Sequence, residues 1–210
     1  MENNTITRAY NFEIRADNNE KNGDFLNGRP IVYDSRTDLG WFDEIIERGA
    51  LDKANLKDVR FLVNHNTDMI PLARSRNNNE NSTMQMVVDS DGMGIRVNLD
   101  TANNSEARNL YSAVKRGDIS GMSFMFTIDT EEWEGLETDH PTRKIKSIGR
   151  VLEVSAVTFP AYEETEISAR DKAALDSAKA ALDSARTRSL DSDKKAALEL
   201  AKAKNHNKIF

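Results

Sequence analysis

The sequence predicts a mainly β domain, a closed or nearly closed β-barrel with helices packed outside it, followed by a helical tail. Three observations lead there. At least seven short alternating or apolar runs separated by turn residues stand against only two or three helix-like segments. The regular strand–helix alternation that a parallel α/β sheet requires is absent. Aromatic and β-branched residues concentrate in residues 5 to about 168, whereas 169–210 is dominated by Ala, Lys, Asp, Leu and Ser. The expected division is a β domain over 1–168 and a charged, helical C-terminal segment over 169–210.

Residues 5–16 alternate as a strand, 17–30 read as an Asn-, Asp- and Gly-rich loop, and a short strand follows over Pro30 to Tyr33. Asp43 to Arg48 predicts a short helix closed by Gly49, a residue suited to the left-handed cap. Val59 to Asn64 and Ile70 to Ser75 read as strands. Met84 to Val88 and Ile95 to Asp100 are alternating runs joined by an Asp- and Gly-rich turn, the hairpin signature. Residues 105–116 carry Ser105 as N-cap, Ala107, Leu110 and Val114 on one stripe, and Gly117 as the stop, which together define a helix. A strand centred on Ser123, a polar loop from Glu134 to Pro141, and two strands near 143–148 and 150–158 complete the domain; Pro160 cannot donate to a ladder and ends the last one. In the tail, Lys-Ala-Ala-Leu-Asp-Ser-Ala occurs twice over 172–185, so Leu175 and Leu182 fall a heptad apart. The thin, Ala-rich stripe suits a marginal helix that docks on a partner, with a break over 186–193 before Leu198 and Leu200.

Composition narrows the function. The 210 residues carry a net charge of −6, and a pI near 5.2 argues against general nucleic-acid binding, which needs a basic face. The chain has no cysteine, which removes disulfides, thiolate nucleophiles and Cys-based metal sites and suits a reducing compartment. No signal-peptide pattern follows Met1, and no apolar run approaches the roughly 20 residues of a membrane helix. A soluble intracellular protein is expected.

Three residues carry candidate chemistry. Ser123 sits in Asp118-Ile-Ser-Gly-Met-Ser-Phe-Met-Phe-Thr-Ile-Asp129. Period-two alternation sends Met122, Phe124, Phe126 and Ile128 to a core face and Gly121, Ser123, Met125 and Thr127 to the other. His65 stands where the strand Phe61-Leu-Val-Asn ends, and Glu153 lies inside the apolar run Val151-Leu-Glu-Val-Ser-Ala-Val-Thr-Phe-Pro160. Each has a bland alternative. Ser123 can be an ordinary strand serine, His65 a strand-end residue bonded to Asn64 or Asn66, and Glu153 an outward acid paired with Arg143, Lys144 or Arg150. Taken together they are the nucleophile, base and orienting acid of an activated serine. Met125 replaces the second glycine of a Gly-x-Ser-x-Gly elbow, which disfavours an α/β-hydrolase. No His-Glu-x-x-His pattern occurs, so no metal site or cofactor is expected.

The ordered combination of strand-end histidine, strand serine and strand glutamate resembles the caudovirus prohead serine protease family over roughly residues 26 to 168. The resemblance rests on Gly40-Trp-Phe-Asp-Glu-Ile-Ile-Glu-Arg-Gly49 with Ala50-Leu51, on Asn64-His-Asn66, on Gly121-Met-Ser-Phe124, and above all on Leu152-Glu-Val-Ser-Ala-Val-Thr-Phe-Pro-Ala161. Tyr162 departs from the family's asparagine after Pro-Ala. The resemblance implies a β-barrel surrounded by helices, like that of herpesvirus assembly proteases, with Ser123 as nucleophile, His65 as base and Glu153 as third member. His140 is the alternative third member, because herpesvirus relatives use a histidine there. Backbone N–H groups at Ala161 or Tyr162 would form the oxyanion hole. The implied task is capsid maturation inside the prohead in the host cytoplasm. The enzyme would cut the scaffolding segment of the major capsid protein, or a separate scaffold, and itself, without nucleic-acid or membrane partners, and a homodimer is compatible. An inactive assembly protein that keeps the barrel is the competing reading.

Overall fold

A computed structural model of the chain describes residues 5–10, 14–19, 23–159 and 165–206. Its elements run β1 (Thr5–Tyr10), β2 (Ile14–Asn19), β3 (Gly23–Val32), β4 (Arg36–Asp38), β5 (Asp43–Ile46), β6 (Asp58–Val63), β7 (Ala73–Arg76), β8 (Met84–Asp89), β9 (Gly92–Asn98), α1 (Ser105–Arg116), β10 (Gly121–Glu134), β11 (Thr142–Val157) and α2 (Thr165–His206). The mainly β expectation holds. The closed barrel does not.

Two sheets form instead. A seven-stranded sheet runs β1-β10-β11-β5-β4, with β6 pairing β11 and β7 pairing β6; a four-stranded antiparallel sheet runs β2-β3-β9-β8. Among the described residues, hydrogen bonding returns neither sheet onto itself, so edges remain at β1, β4 and β7 in the first and at β2 and β8 in the second. One apolar core joins them: Leu26, Ile31, Met84, Met93 and Val97 of the smaller sheet pack in the same cluster as Phe61, Phe124, Phe126, Ile148 and Val154 of the larger. Burying both inner faces in one cluster is the usual way two sheets satisfy their apolar sides.

Several local readings give way to tertiary pairing. Asp43–Ile46 is the strand β5 rather than a helix, because β11 pairs it in parallel and β4 pairs it antiparallel. A segment that short gains little as an isolated helix, whereas here Ile46 is buried and Glu44 finds cationic partners. Residues 17–30, read as a loop, are mostly strand; β3 is flanked by β2 and β9 and buries Leu26 and Ile31 completely. Pro30 falls in the irregularity between Gly28 and Ile31, where a missing N–H leaves no ladder position empty. The hairpin between β8 and β9 turns on Ser90-Asp91 alone. Gly92 opens β9 at φ +134°, where a Cβ would stand 2.0 Å from the Ile31 carbonyl oxygen, so only glycine fits.

β10 and β11 form a long antiparallel hairpin, and β11 is one strand rather than two. Its register shifts near Thr127, Ile128 and Thr130, opposite Gly149, where an added Cβ would meet Asp129 Oδ1 at 2.3 Å. Such irregularities bend a ladder and increase its twist. α1 is capped by the Asn104 side chain, one residue before the expected Ser105, and ends at Gly117 with φ 81°; Ala107, Leu110 and Val114 are buried as the stripe requires. α2 is continuous through 186–193, so the expected break does not occur. Its start packs on the body through Asp171 and Leu175. No helix among the described residues is long and apolar enough to cross a membrane.

Candidate active site

The site forms where β10, β11 and β6 lie side by side. The registers Ser123↔Ser155 and Ser155↔Leu62 set a row across the three strands, and Met125↔Glu153 sets the next position on the same face of β10 and β11. Directly opposed side chains in such a ladder stand about 4.5–5.5 Å apart at Cβ. Alternation therefore brings Ser123, Ser155 and Glu153 to one face of the hairpin, as the sequence periodicity requires.

β6 ends at Val63, and the chain then turns on two consecutive left-handed residues, Asn64 at φ 50° and His65 at φ 55°. Asparagine tolerates this region well; histidine at such an angle is held there by its surroundings. Those restraints are specific. Asn64 Nδ2 donates to Thr158 Oγ1 at 3.1 Å and its Oδ1 accepts from the Thr158 N–H at 2.9 Å. The Asn64 N–H donates to the Ala156 carbonyl, and the His65 N–H donates to Ser155 Oγ at 3.1 Å. The turn swings the His65 ring back over β11, where Nδ1 lies 2.5 Å from Glu153 Oε1.

Glu153 is 3% exposed, and its second oxygen accepts a 2.6 Å hydrogen bond from Ser155 Oγ. The acid is thus neither outward nor paired with arginine or lysine. Arg143 bonds Glu131 and Lys144 bonds Glu134 instead. Both carboxylate oxygens are occupied, one by the imidazole and one by a hydroxyl that also anchors the backbone of the histidine. The ring is 20% exposed. With Nδ1 committed to Glu153, Nε2 is the nitrogen left for proton transfer, the arrangement in which a carboxylate selects the imidazole tautomer. Ser123 is completely buried, and its Oγ donates to the Arg8 carbonyl oxygen of β1 at 2.8 Å.

Against this geometry, the family model for caudovirus prohead serine proteases matches residues 10–179. The chain belongs to that family. Its prohead protease relative from Enterobacteria phage HK97 is 30% identical over 161 residues, covering 75% of this chain and 64% of that protein, so the chain spans less than two thirds of that relative's length. Among solved structures, the bacteriophage T4 capsid assembly protease is similar at a TM-score of 0.40 and 13% identity, covering 73% of this chain and 99% of that one. The family match starts earlier and ends later than the resemblance over 26–168 and takes in the first turns of α2.

Within this chain, His65 and Glu153 are in direct contact, and Ser123 stands across the ladder from the residue that holds both. Ser155 was missed by sequence reasoning. The signal for it was available, because Glu153 and Ser155 lie two apart in an alternating strand and share a face. His140 lies elsewhere, with Nε2 3.2 Å from Asp43 Oδ1 and 3.7 Å from Asp38 Oδ1, and it makes no contact with His65. Asp38, Asp43 and His140 could together offer ligand atoms to a cation. Arg36 already holds Asp43 at 2.6 Å, and its charge opposes a second cation there. Ala161 and Tyr162 lie outside the described residues.

Proposed function

We propose that the chain is a serine endopeptidase of phage capsid maturation, acting inside the prohead, with Ser123 as nucleophile, His65 as general base and Glu153 as the acid that orients it. The observation that carries this reading is the 2.5 Å contact between His65 Nδ1 and Glu153 Oε1 on the face that also bears Ser123. In the reaction, Ser123 Oγ attacks the scissile carbonyl carbon while its proton passes to His65 Nε2. The imidazolium that forms is stabilised by Glu153, itself held by Ser155. His65 returns the proton to the departing amine, and water then cleaves the ester by the same base. Backbone N–H groups at Ala161 and Tyr162 are the proposed donors to the oxyanion.

The proposed substrates are the scaffolding segment of the major capsid protein, or a separate scaffold, and the enzyme itself. The charged helix α2 is proposed to dock on the scaffold. Deleting 186–210, which leaves the buried Asp171 and Leu175 in place, is expected to reduce incorporation into proheads. The test of the activity is coexpression of wild-type and Ser123→Ala protein with the capsid protein. Loss of both capsid-protein and self-cleavage with unchanged folding is expected, a drop of at least about a thousand-fold. Processed capsid protein in the presence of Ser123→Ala would instead support an assembly protein without chemistry.

A further inference from the structure

β1 lies along the edge of β10 that carries Ser123, and it is bound there as a peptide is bound by a sheet edge. The register is antiparallel and continuous from Thr5↔Thr127 to Tyr10↔Met122, with Ala9 opposite Ser123. Strand addition of this kind supplies affinity through main-chain hydrogen bonds and specificity through pockets for alternate side chains. The family match begins at residue 10, so nearly all of β1 lies before it.

Two details at Arg8 go beyond strand pairing. Its carbonyl oxygen accepts the Ser123 hydroxyl at 2.8 Å, so the peptide group presented to that hydroxyl is the one between Arg8 and Ala9. Its side chain, directed away from the Ser123 face, enters a closed acidic pocket. Nε donates to Glu44 Oε1 at 2.5 Å, and Nη2 donates to Glu44 Oε2 at 2.9 Å and to Asp171 Oδ1 at 2.8 Å. Nη1 donates to the Thr7 carbonyl. Arg8 is 2% exposed, Glu44 1% and Asp171 4%. The only other cation bonded to Glu44 among the described residues is Arg143, at 3.5 Å, and Arg143 also serves Glu131. A pocket holding two buried carboxylates in a planar, forked arrangement suits a guanidinium and rejects neutral or acidic side chains.

We propose that Glu44 and Asp171 form the specificity pocket for an arginine that contributes the scissile carbonyl, and that Arg8 fills it in the resting chain, so that β1 blocks the cleft until it is displaced. This inference rests on the assignment of Ser123 as nucleophile. In the resting arrangement the Ser123 proton points to the carbonyl oxygen of Arg8 rather than to His65, so the strand is held in contact without being attacked. A substrate strand would take the same edge, with its arginine in the same pocket. α2 supplies Asp171, which makes the first turns of that helix part of the substrate site.

The test uses the full-length chain and extended fluorogenic peptides that differ only at the residue before the scissile bond: Arg, Lys, Gln, Leu or Glu. The wild-type chain is expected to cut the Arg peptide at least about a hundred-fold better than the Gln, Leu or Glu peptides, with Lys between, because a site built on charged hydrogen bonds rejects analogues that lack them. In Arg8→Glu, whose carboxylate is repelled by Glu44 and Asp171, turnover of the Arg peptide should rise about ten-fold or more as the blocked fraction falls. A synthetic peptide of residues 3–12 should inhibit the wild-type chain, while the same peptide carrying Arg8→Glu should not; this arm holds even where the variant protein folds poorly. A small fluorophosphonate, too short to need the pocket, reports on Ser123 by itself when applied to the Arg8→Glu chain, in which β1 no longer blocks the site. Failure to label Ser123, with no peptide cut, would overturn the assignment of the nucleophile. Normal labelling with no preference for Arg, or without inhibition by the 3–12 peptide, would overturn the pocket and leave that assignment standing.

Discussion

Glu153 and Glu44 are both buried glutamates in the middle of strands of one sheet, and they meet opposite kinds of partner. Glu153 faces an imidazole and a hydroxyl, Glu44 two guanidinium groups. Guanidinium stays charged at every accessible pH, so the Glu44 contacts keep one charge state. Imidazole can hold a proton on one ring nitrogen or on both, so the Glu153 contact can change charge state during the proposed reaction. Burial makes both carboxylates costly to leave unpaired; the partner decides whether the pair holds structure or moves a proton.

The comparison is sharpest where one charge is removed at a time. Glu153→Gln keeps the shape but no longer selects the Nδ1–H tautomer of His65. It should lower the cleavage rate by about three to four orders of magnitude with little change in melting temperature, read by peptide turnover alongside circular dichroism. Glu44→Gln should instead destabilise the fold by about 3–5 kcal/mol in urea unfolding, since Arg8 and Arg143 are left without their shared acid. Combining it with Arg8→Met should recover much of that loss; additive losses would mean the two residues are not energetically coupled.

Smaller effects test the supports of each glutamate. Ser155→Ala removes the hydroxyl between Glu153 and the His65 N–H. It should cost about 1–2 kcal/mol of stability and slow cleavage roughly ten-fold; an unchanged rate would make Ser155 a packing residue only. Asp171, the second acid on Arg8, has its carboxyl pushed above the usual range by burial, against the opposing pull of Arg8. A raised acid favours the folded state most when protonated, below the unfolded carboxyl range, and that advantage is lost as pH rises through the folded value. Asp171→Asn should therefore gain on the wild type in melting temperature as pH rises above the unfolded carboxyl range. The opposite trend would show that attraction to Arg8 outweighs burial.

Much of the candidate site was legible because its parts are local. His65 ends an apolar run between two asparagines, the residue type that most readily takes a left-handed turn. The alternation of Met122, Phe124 and Phe126 placed Ser123 on the other face, although Ser123 is fully buried there too. Glu153 stood out as an acid within an apolar strand, and that anomaly pointed to its partner. Where the reading failed, long-range pairing had overridden composition. β5 has the acids and closing glycine of a short helix, and β3 has the Asn and Gly content of a loop, yet each lies between two other strands. Barrel closure failed for a related reason: counting strands says how many edges need partners, not which edges find them.

By itself the sequence determined the mainly β class, the α1 helix with its stripe and its glycine stop, and the three residue types that mark the candidate site. These follow from periodicity and side-chain chemistry within a few neighbouring positions. Only the tertiary structure decided that Ser155 stands between Glu153 and His65, and that Arg8 is clamped by Glu44, 36 positions away, and by Asp171, 163 positions away. Such contacts depend on how the sheet curves and where α2 lands. No local propensity encodes them, because their energy appears only once distant strands have already paired.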